Sequence, residues 1–144
     1  MPYFVVKPFH NELLASQQAL EQVFLIQVQA LQKRLVHTKA KFAVIGVSGG
    51  IDSAYSLMIL NEACKKLDTK PFAVIMPSLG SSEESQNLAI ELSKSLDVSF
   101  EKIDISKICL NIKESISLKT PIANENIQAR LRTTILMTLA NEMH

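Results

Sequence analysis

The chain has 144 residues, 47% of them apolar, with 15 Lys and Arg against 14 Asp and Glu for a formal net charge of +1. That is one domain's worth of chain with enough apolar residues for a core. The charge balance argues against nucleic-acid and membrane-surface binders, which carry a basic excess. No apolar run reaches the roughly 18 residues of a membrane span, and the start lacks the charged-then-apolar plan of a signal peptide, so the cytoplasm is the expected address.

Taken in chain order, the segment from about Phe9 to Val36 is predicted to be a helix. Leu13, Leu20, Val23, Phe24, Leu31 and Leu35 lie roughly on one stripe, with no glycine or proline among them. Residues 1–40 then form an N-terminal helical segment of a single domain spanning 1–144. "KFAVIGV" reads as a strand whose continuous apolar run suits a parallel strand covered on both faces. A helix is expected from about Asp52 to Lys66, and then "PFAVIM", a second buried strand ended by Pro77. In "SSEE", Ser81 stands three residues before Glu84, which has the form of a capping box and opens a helix to about Leu96. "VSFEKID" alternates and so reads as an edge strand. A short helix near Ile105–Ser115, a loop around Pro121 and a helix from about Asn124 to the end complete the chain.

No internal repeat, low-complexity tract or long linker interrupts this order. Cys64 and Cys109 form no CxxC pair and read as buried or half-buried thiols of a reducing compartment. His10, His37 and His144 lack metal-ligand spacing. Alternating strands and helices imply right-handed crossovers and an open parallel sheet sandwiched by helices, an α/β Rossmann-like architecture. Such folds bind ligands beyond the carboxyl ends of their strands.

The first strand leaves at that end through "GVSGGIDS". Ser48, Gly49 and Gly50 let the backbone approach a ligand, and the turn aims N–H groups at one spot beside the positive end of a helix dipole. The hydroxyls of Ser48 and Ser53 can add donors. There is no Gly-Lys-Ser/Thr ending and no GxGxxG, so neither the Walker loop nor the dinucleotide fingerprint is present. A bare Gly-Gly turn with Asp52 at a helix start needs no ligand, since the dipole alone favours the acid by about 0.3–1 kcal/mol. "SGGIDS", however, holds more than a turn and a cap require. An acid beside a phosphate nest is best explained as a ligand of Mg²⁺, which prefers carboxylate and phosphate oxygens.

"SGGIDS" resembles the pyrophosphate-binding loop of the ATP pyrophosphatase superfamily, whose fold is called adenine nucleotide alpha hydrolase-like. "NENIQARLRTTILMTLAN", Asn124 to Asn141, is similar to the signature helix of the NAD synthetases, and "MPSLGSSEES" to the family's segment after its second strand. The resemblance implies that Gly46, Val47, Ser48, Gly49, Gly50, Ile51, Asp52 and Ser53 hold the ATP phosphates, that Asp52 binds Mg²⁺, and that Met76 and Pro77 flank the adenosine. Asn126 and Arg130 would contact deamido-NAD, the second substrate. These two are four apart and share a helix face, beside an apolar stripe of Ile127, Leu131 and Ile135 that fixes the helix to the sheet. Arg130 as a plain solvated arginine is the alternative. Arg132 is expected to point the opposite way, at solvent or a subunit interface, with Thr133, Thr134 and Met137 as packing residues.

The implied activity is ATP-dependent adenylation of deamido-NAD followed by amidation with ammonia, giving NAD⁺, AMP and pyrophosphate. No side-chain nucleophile is required, and the family is homodimeric. A glutamine-dependent form, a GMP synthetase-type ligase and a catalytically silent ATP-binding fragment are the competing readings. The family's next strand, with a Gly-Thr-x-x-x-x-Glu segment, has no counterpart in the sequence. The chain is therefore expected to correspond to the N-terminal part of a synthetase domain, with the strand Phe42–Val47 left as an edge.

Overall fold

The computed structural model describes residues 16–117 and 120–143. Three parallel strands, β1 (Phe42–Gly46), β2 (Lys70–Ile75) and β3 (Ser99–Lys102), lie in the order β1-β2-β3. Five helices accompany them: α1 (Gln17–Thr38), α2 (Ile51–Cys64), α3 (Glu83–Ser95), α4 (Ser106–Ser115) and α5 (Pro121–Glu142). Register pairs Phe42 with Lys70 and Gly46 with Val74 across the first ladder, and Phe72 with Ser99 across the second.

Successive side chains of a strand point to opposite faces, and this divides the core in two. Ala43, Ile45, Val47, Ala73 and Ile75 turn to one face, where Leu57 and Leu60 of α2, Ala89 of α3, and Val28 and Leu35 of α1 cover them. Val44, Phe72, Val74 and Met76 turn to the other face, against Ile105 and the α5 residues Leu131, Ile135, Leu136 and Leu139. Both faces of β2 are thus covered, which is why "PFAVIM" is apolar without alternation. Each Val, Leu or Ile taken out of water here contributes about 1.5–3 kcal/mol. The expected α/β sandwich with an open parallel sheet is present, and β1 and β3 are the edges.

Several local expectations need correction. α1 buries Val28 and Leu35, with Phe24 and Leu31 partly covered, while Leu20 (51% exposed) and Val23 (36%) face outward. The true stripe is 24/28/31/35, fixed by contact with α2. Leu13 and the expected start at Phe9 lie outside the described residues, as do His10 and His144. The α3 cap is Ser82, whose hydroxyl accepts from the Ser85 N–H at 3.2 Å. Ser81 instead accepts from the Ser78 N–H at 3.0 Å, so the capping box built on Ser81 does not form. Pro121 lies in the first turn of α5 rather than in a loop. That suits a proline, because the first helical N–H groups have no partner to lose. Thr133, Thr134 and Met137 are exposed, not packed. Among the described residues no helix is long and apolar enough to cross a membrane.

Candidate functional site

A cavity of about 240 Å³ opens beyond the carboxyl ends of β1 and β2. Gly46, Val47 and Ser48 leave β1 along one wall, and Val74 to Pro77 leave β2 along another. Ser81, Ser85 and Gln86 contribute from the start of α3, and Arg132 and Leu136 from α5. Gly46 packs tightly against Leu136 of α5. A Cβ there would stand 3.2 Å from Leu136 Cδ1 and 3.3 Å from Met76 Cε.

The glycine loop runs from this wall into α2. Gly49 takes a positive φ of 83°, a region open mainly to glycine. Gly50 is the N-cap of α2, in an extended conformation and with no side-chain cap. The first N–H groups of the helix, those of Ile51, Asp52 and Ser53, therefore lack a capping acceptor and can turn to an anion. The two serine hydroxyls brace the loop: Ser48 N–H donates to Ser53 Oγ at 3.1 Å, Ser53 Oγ donates to the Gly50 carbonyl at 2.9 Å, and the two hydroxyl oxygens lie 3.0 Å apart. Asp52 is exposed in the first turn of α2. Gly49, Gly50, Ile51, Asp52 and Ser53 continue from Ser48 and are not on the cavity wall; Ile51 is 84% exposed.

Arg132 lines the same cavity as Ser48, and here the expectation that it points to solvent or a subunit interface is overturned. Its Nη2 donates to Ser78 Oγ at 3.1 Å and its Nε lies 3.4 Å from the Met76 carbonyl oxygen. Ser78 is buried, and its hydroxyl donates to Gln128 Oε1 at 2.6 Å. Arg130 and Asn126 are the residues at solvent, on the outer face of α5 and off the cavity wall. Arg132 does point away from Arg130, as a two-residue separation requires, but that direction is inward. The signal in the sequence was the row Gln128, Arg132, Leu136, spaced by four.

The remaining chemistry is modest. Among the described residues no group of three or more His, Cys, Asp and Glu could hold a metal. Mg²⁺ typically takes only one or two carboxylates and completes its shell with phosphate and water oxygens, so exposed Asp52 beside uncapped N–H groups fits as a single protein ligand. The Ser106 hydroxyl and N–H hold the Asp104 carboxyl below its ordinary range, at the start of α4 and off the cavity wall. Burial pushes the Cys64 thiol up to about 11 and raises that of Cys109, so neither is primed as a thiolate.

Comparison with known proteins identifies the family and the fold. The family model described as NAD synthase matches residues 24–144. The glutamine-dependent NAD(+) synthetase of Mycobacterium tuberculosis (strain ATCC 25618 / H37Rv) is 32% identical over 137 residues, covering 88% of this chain and 20% of the relative. The chain thus spans about a fifth of the length of that curated relative. Among solved structures, the glutamine-dependent NAD+ synthetase from Acinetobacter baumannii in complex with ADP superposes with a TM-score of 0.80 at 28% identity, over 87% of this chain and 24% of that one. The NMN synthetase from Francisella tularensis gives a TM-score of 0.74 at 28% identity, over 85% of this chain and 50% of that one.

Proposed function

The chain belongs to the NAD synthase family, and from that premise we propose that the protein makes NAD⁺ from deamido-NAD, ATP and ammonia. The observation that carries the reading is the cavity at the strand ends, which Ser48 of the glycine loop and Arg132 of α5 both line, with the uncapped start of α2 following the loop. That suits a polyphosphate, which can run from the Arg132 cation in the cavity toward the N–H groups that follow Ser48.

In the first step a nicotinate carboxylate oxygen attacks the α-phosphorus of ATP. The bond from that phosphorus to the bridging oxygen breaks, and pyrophosphate leaves with the electron pair. The N–H groups at the start of α2 accept the leaving group's growing charge as hydrogen-bond donors. Arg132 adds its positive charge from the cavity wall. Met76 and Pro77, which line the cavity, flank the adenosine. In the second step the ammonia nitrogen attacks the acyl carbon, AMP departs and the nitrogen loses a proton to solvent. The chain contributes orientation and preorganised charge rather than covalent catalysis. Asp52 would hold Mg²⁺, which when bound neutralises phosphate charge. Asn126 and Arg130, exposed on α5, are free to meet the pyridine nucleotide, and the cytoplasm and a homodimer are the proposed setting.

A mononucleotide substrate is the second reading, favoured by the likeness to the Francisella NMN synthetase. The test is to supply the complete protein with Mg-ATP and ammonia, and either deamido-NAD or its mononucleotide counterpart. NAD⁺ and pyrophosphate formed in equal amounts from deamido-NAD support the proposal. Amidation of the mononucleotide alone would replace it with the second reading, and ATP binding without pyrophosphate release would point to a silent module.

A further inference from the structure

We infer that Gln128 is a positioning residue, acting through Ser78 to hold the Arg132 guanidinium at the cavity wall. The inference rests on the reading of that cavity as the nucleotide site.

Hydrogen-bond polarity makes the case. Arginine has donors and no acceptor, so Ser78 Oγ must accept from Arg132 Nη2. A serine hydroxyl carries one proton that rotates to suit its surroundings, and its lone pairs face wherever the proton does not. At Ser78 the proton has a specific destination, Gln128 Oε1 at 2.6 Å. With the proton drawn to Gln128, the serine oxygen presents lone pairs to the guanidinium. Without that acceptor the proton is free to turn toward Arg132, where donor would face donor.

The geometry leaves little slack elsewhere. Ser78 is 8% exposed, which limits water as a substitute acceptor. Its backbone is fixed by a reciprocal pair with Ser81: Ser78 N–H donates to Ser81 Oγ and Ser81 N–H to the Ser78 carbonyl, each at 3.0 Å. The other tether of Arg132, to the Met76 carbonyl, is long at 3.4 Å. Gln128 and Arg132 are one turn apart on α5, so a single helix supplies both ends of the clamp around Ser78. Gln128 also borders a second cavity of about 220 Å³, which leaves room to change its side chain without crowding the core.

The test compares Gln128→Leu, which removes the acceptor, with Gln128→Glu, which keeps one. In the complete protein we would measure Mg-ATP affinity by calorimetry and the exchange of the Arg132 Nε–H with water by NMR. Gln128→Leu is expected to speed that exchange and to weaken ATP about tenfold, the scale of one lost hydrogen bond to a charged group. Gln128→Glu should stay within about twofold of the parent on both readouts, a small fraction of one such bond. In an Arg132→Leu background, Gln128→Leu should add no further loss of ATP affinity. Unchanged exchange and affinity in Gln128→Leu would overturn the inference, as would an equal loss of ATP affinity in the Arg132→Leu background, the mark of a merely structural role. If the parent protein binds no ATP, the nucleotide reading fails, and the Nε–H exchange alone decides whether Gln128 positions Arg132.

Discussion

Gly49 lies so close to Ser85 that a Cβ on it would overlap the Ser85 carbonyl oxygen and stand 2.8 Å from the carbonyl carbon. Its positive φ adds a second reason for glycine. The loop therefore packs directly against the first turn of α3. Gly50 is different: its φ is ordinary and the nearest atom to a Cβ there is Ser48 Oγ at 3.5 Å. Gly49→Ala should cost about 2–4 kcal/mol, from backbone strain plus a clash with main chain. Gly50→Ala should cost about 1 kcal/mol or less, the loss of a good N-cap residue. Urea unfolding of the two variants checks the ranking, and equal costs would contradict it.

Asp52→Ala should leave the fold intact. Asp52 is exposed, and its interaction with the start of α2 is worth about 0.3–1 kcal/mol. Turnover in the complete enzyme should fall by ~10²-fold or more, about 2.7 kcal/mol of transition-state stabilisation. The measurement is pyrophosphate release against Mg²⁺ concentration. A variant as responsive to limiting Mg²⁺ as the parent would remove Asp52 from the metal.

The two arginines of α5 should separate by substrate. Arg132→Ala loses a cation at the cavity wall and is expected to weaken ATP by roughly 10- to 100-fold, the range for one charge-assisted contact. Arg130 is exposed on the opposite face, so Arg130→Ala should leave ATP affinity alone and raise the deamido-NAD concentration needed for saturation. Binding isotherms for each nucleotide with each variant decide it. Weakened ATP in Arg130→Ala with none in Arg132→Ala would reverse the assignment.

Cys64 gives a pH dependence with a definite sign. Burial raises its thiol from the ordinary 9.0 to about 11. Between those values the unfolded chain has released the proton and the folded chain still holds it. Stability from this group is fully present below pH 9.0 and is lost as pH rises toward about 11. Denaturant midpoints at pH 8 and pH 10.5 should differ more in the parent than in Cys64→Ala. An equal drop in both would mean that other groups account for it.

Among the described residues β1 has a hydrogen-bonded neighbour on one side only, β2, and each residue from Phe42 to Gly46 is only partly buried. The strand "FAVIG" carries no charge or proline of the kind that guards natural edges. The 144-residue polypeptide purified by itself should therefore self-associate at micromolar concentration. Sedimentation as a stable monomer would show the edge to be harmless.

Much of the architecture was legible in the sequence because burial leaves a direct mark on composition. "FAVIGV" and "PFAVIM" are apolar without alternation, which is tolerable only where helices cover both faces, and the alternating "VSFEKID" does end at an edge. The loop "SGGIDS" raised the expectation of an anion site through residue type alone, since few other uses need two glycines, two hydroxyls and an acid at a helix start. What the sequence left open were rotations and partners. Spacing by four gives the angle between two residues on one helix but not the helix's rotation about its own axis. That rotation is set by what the helix packs against. On α5 the rows 126/130 and 128/132 were equally good periodic readings, and only contact of Leu131, Ile135 and Leu136 with Val74 and Met76 turned the second row to the cavity. On α1 the contact with α2 chose 24/28/31/35 in the same way. Which glycine is indispensable was decided by Ser85, a residue on another helix. Tertiary contacts made these choices because they join positions far apart in the chain, and local periodicity carries no record of them.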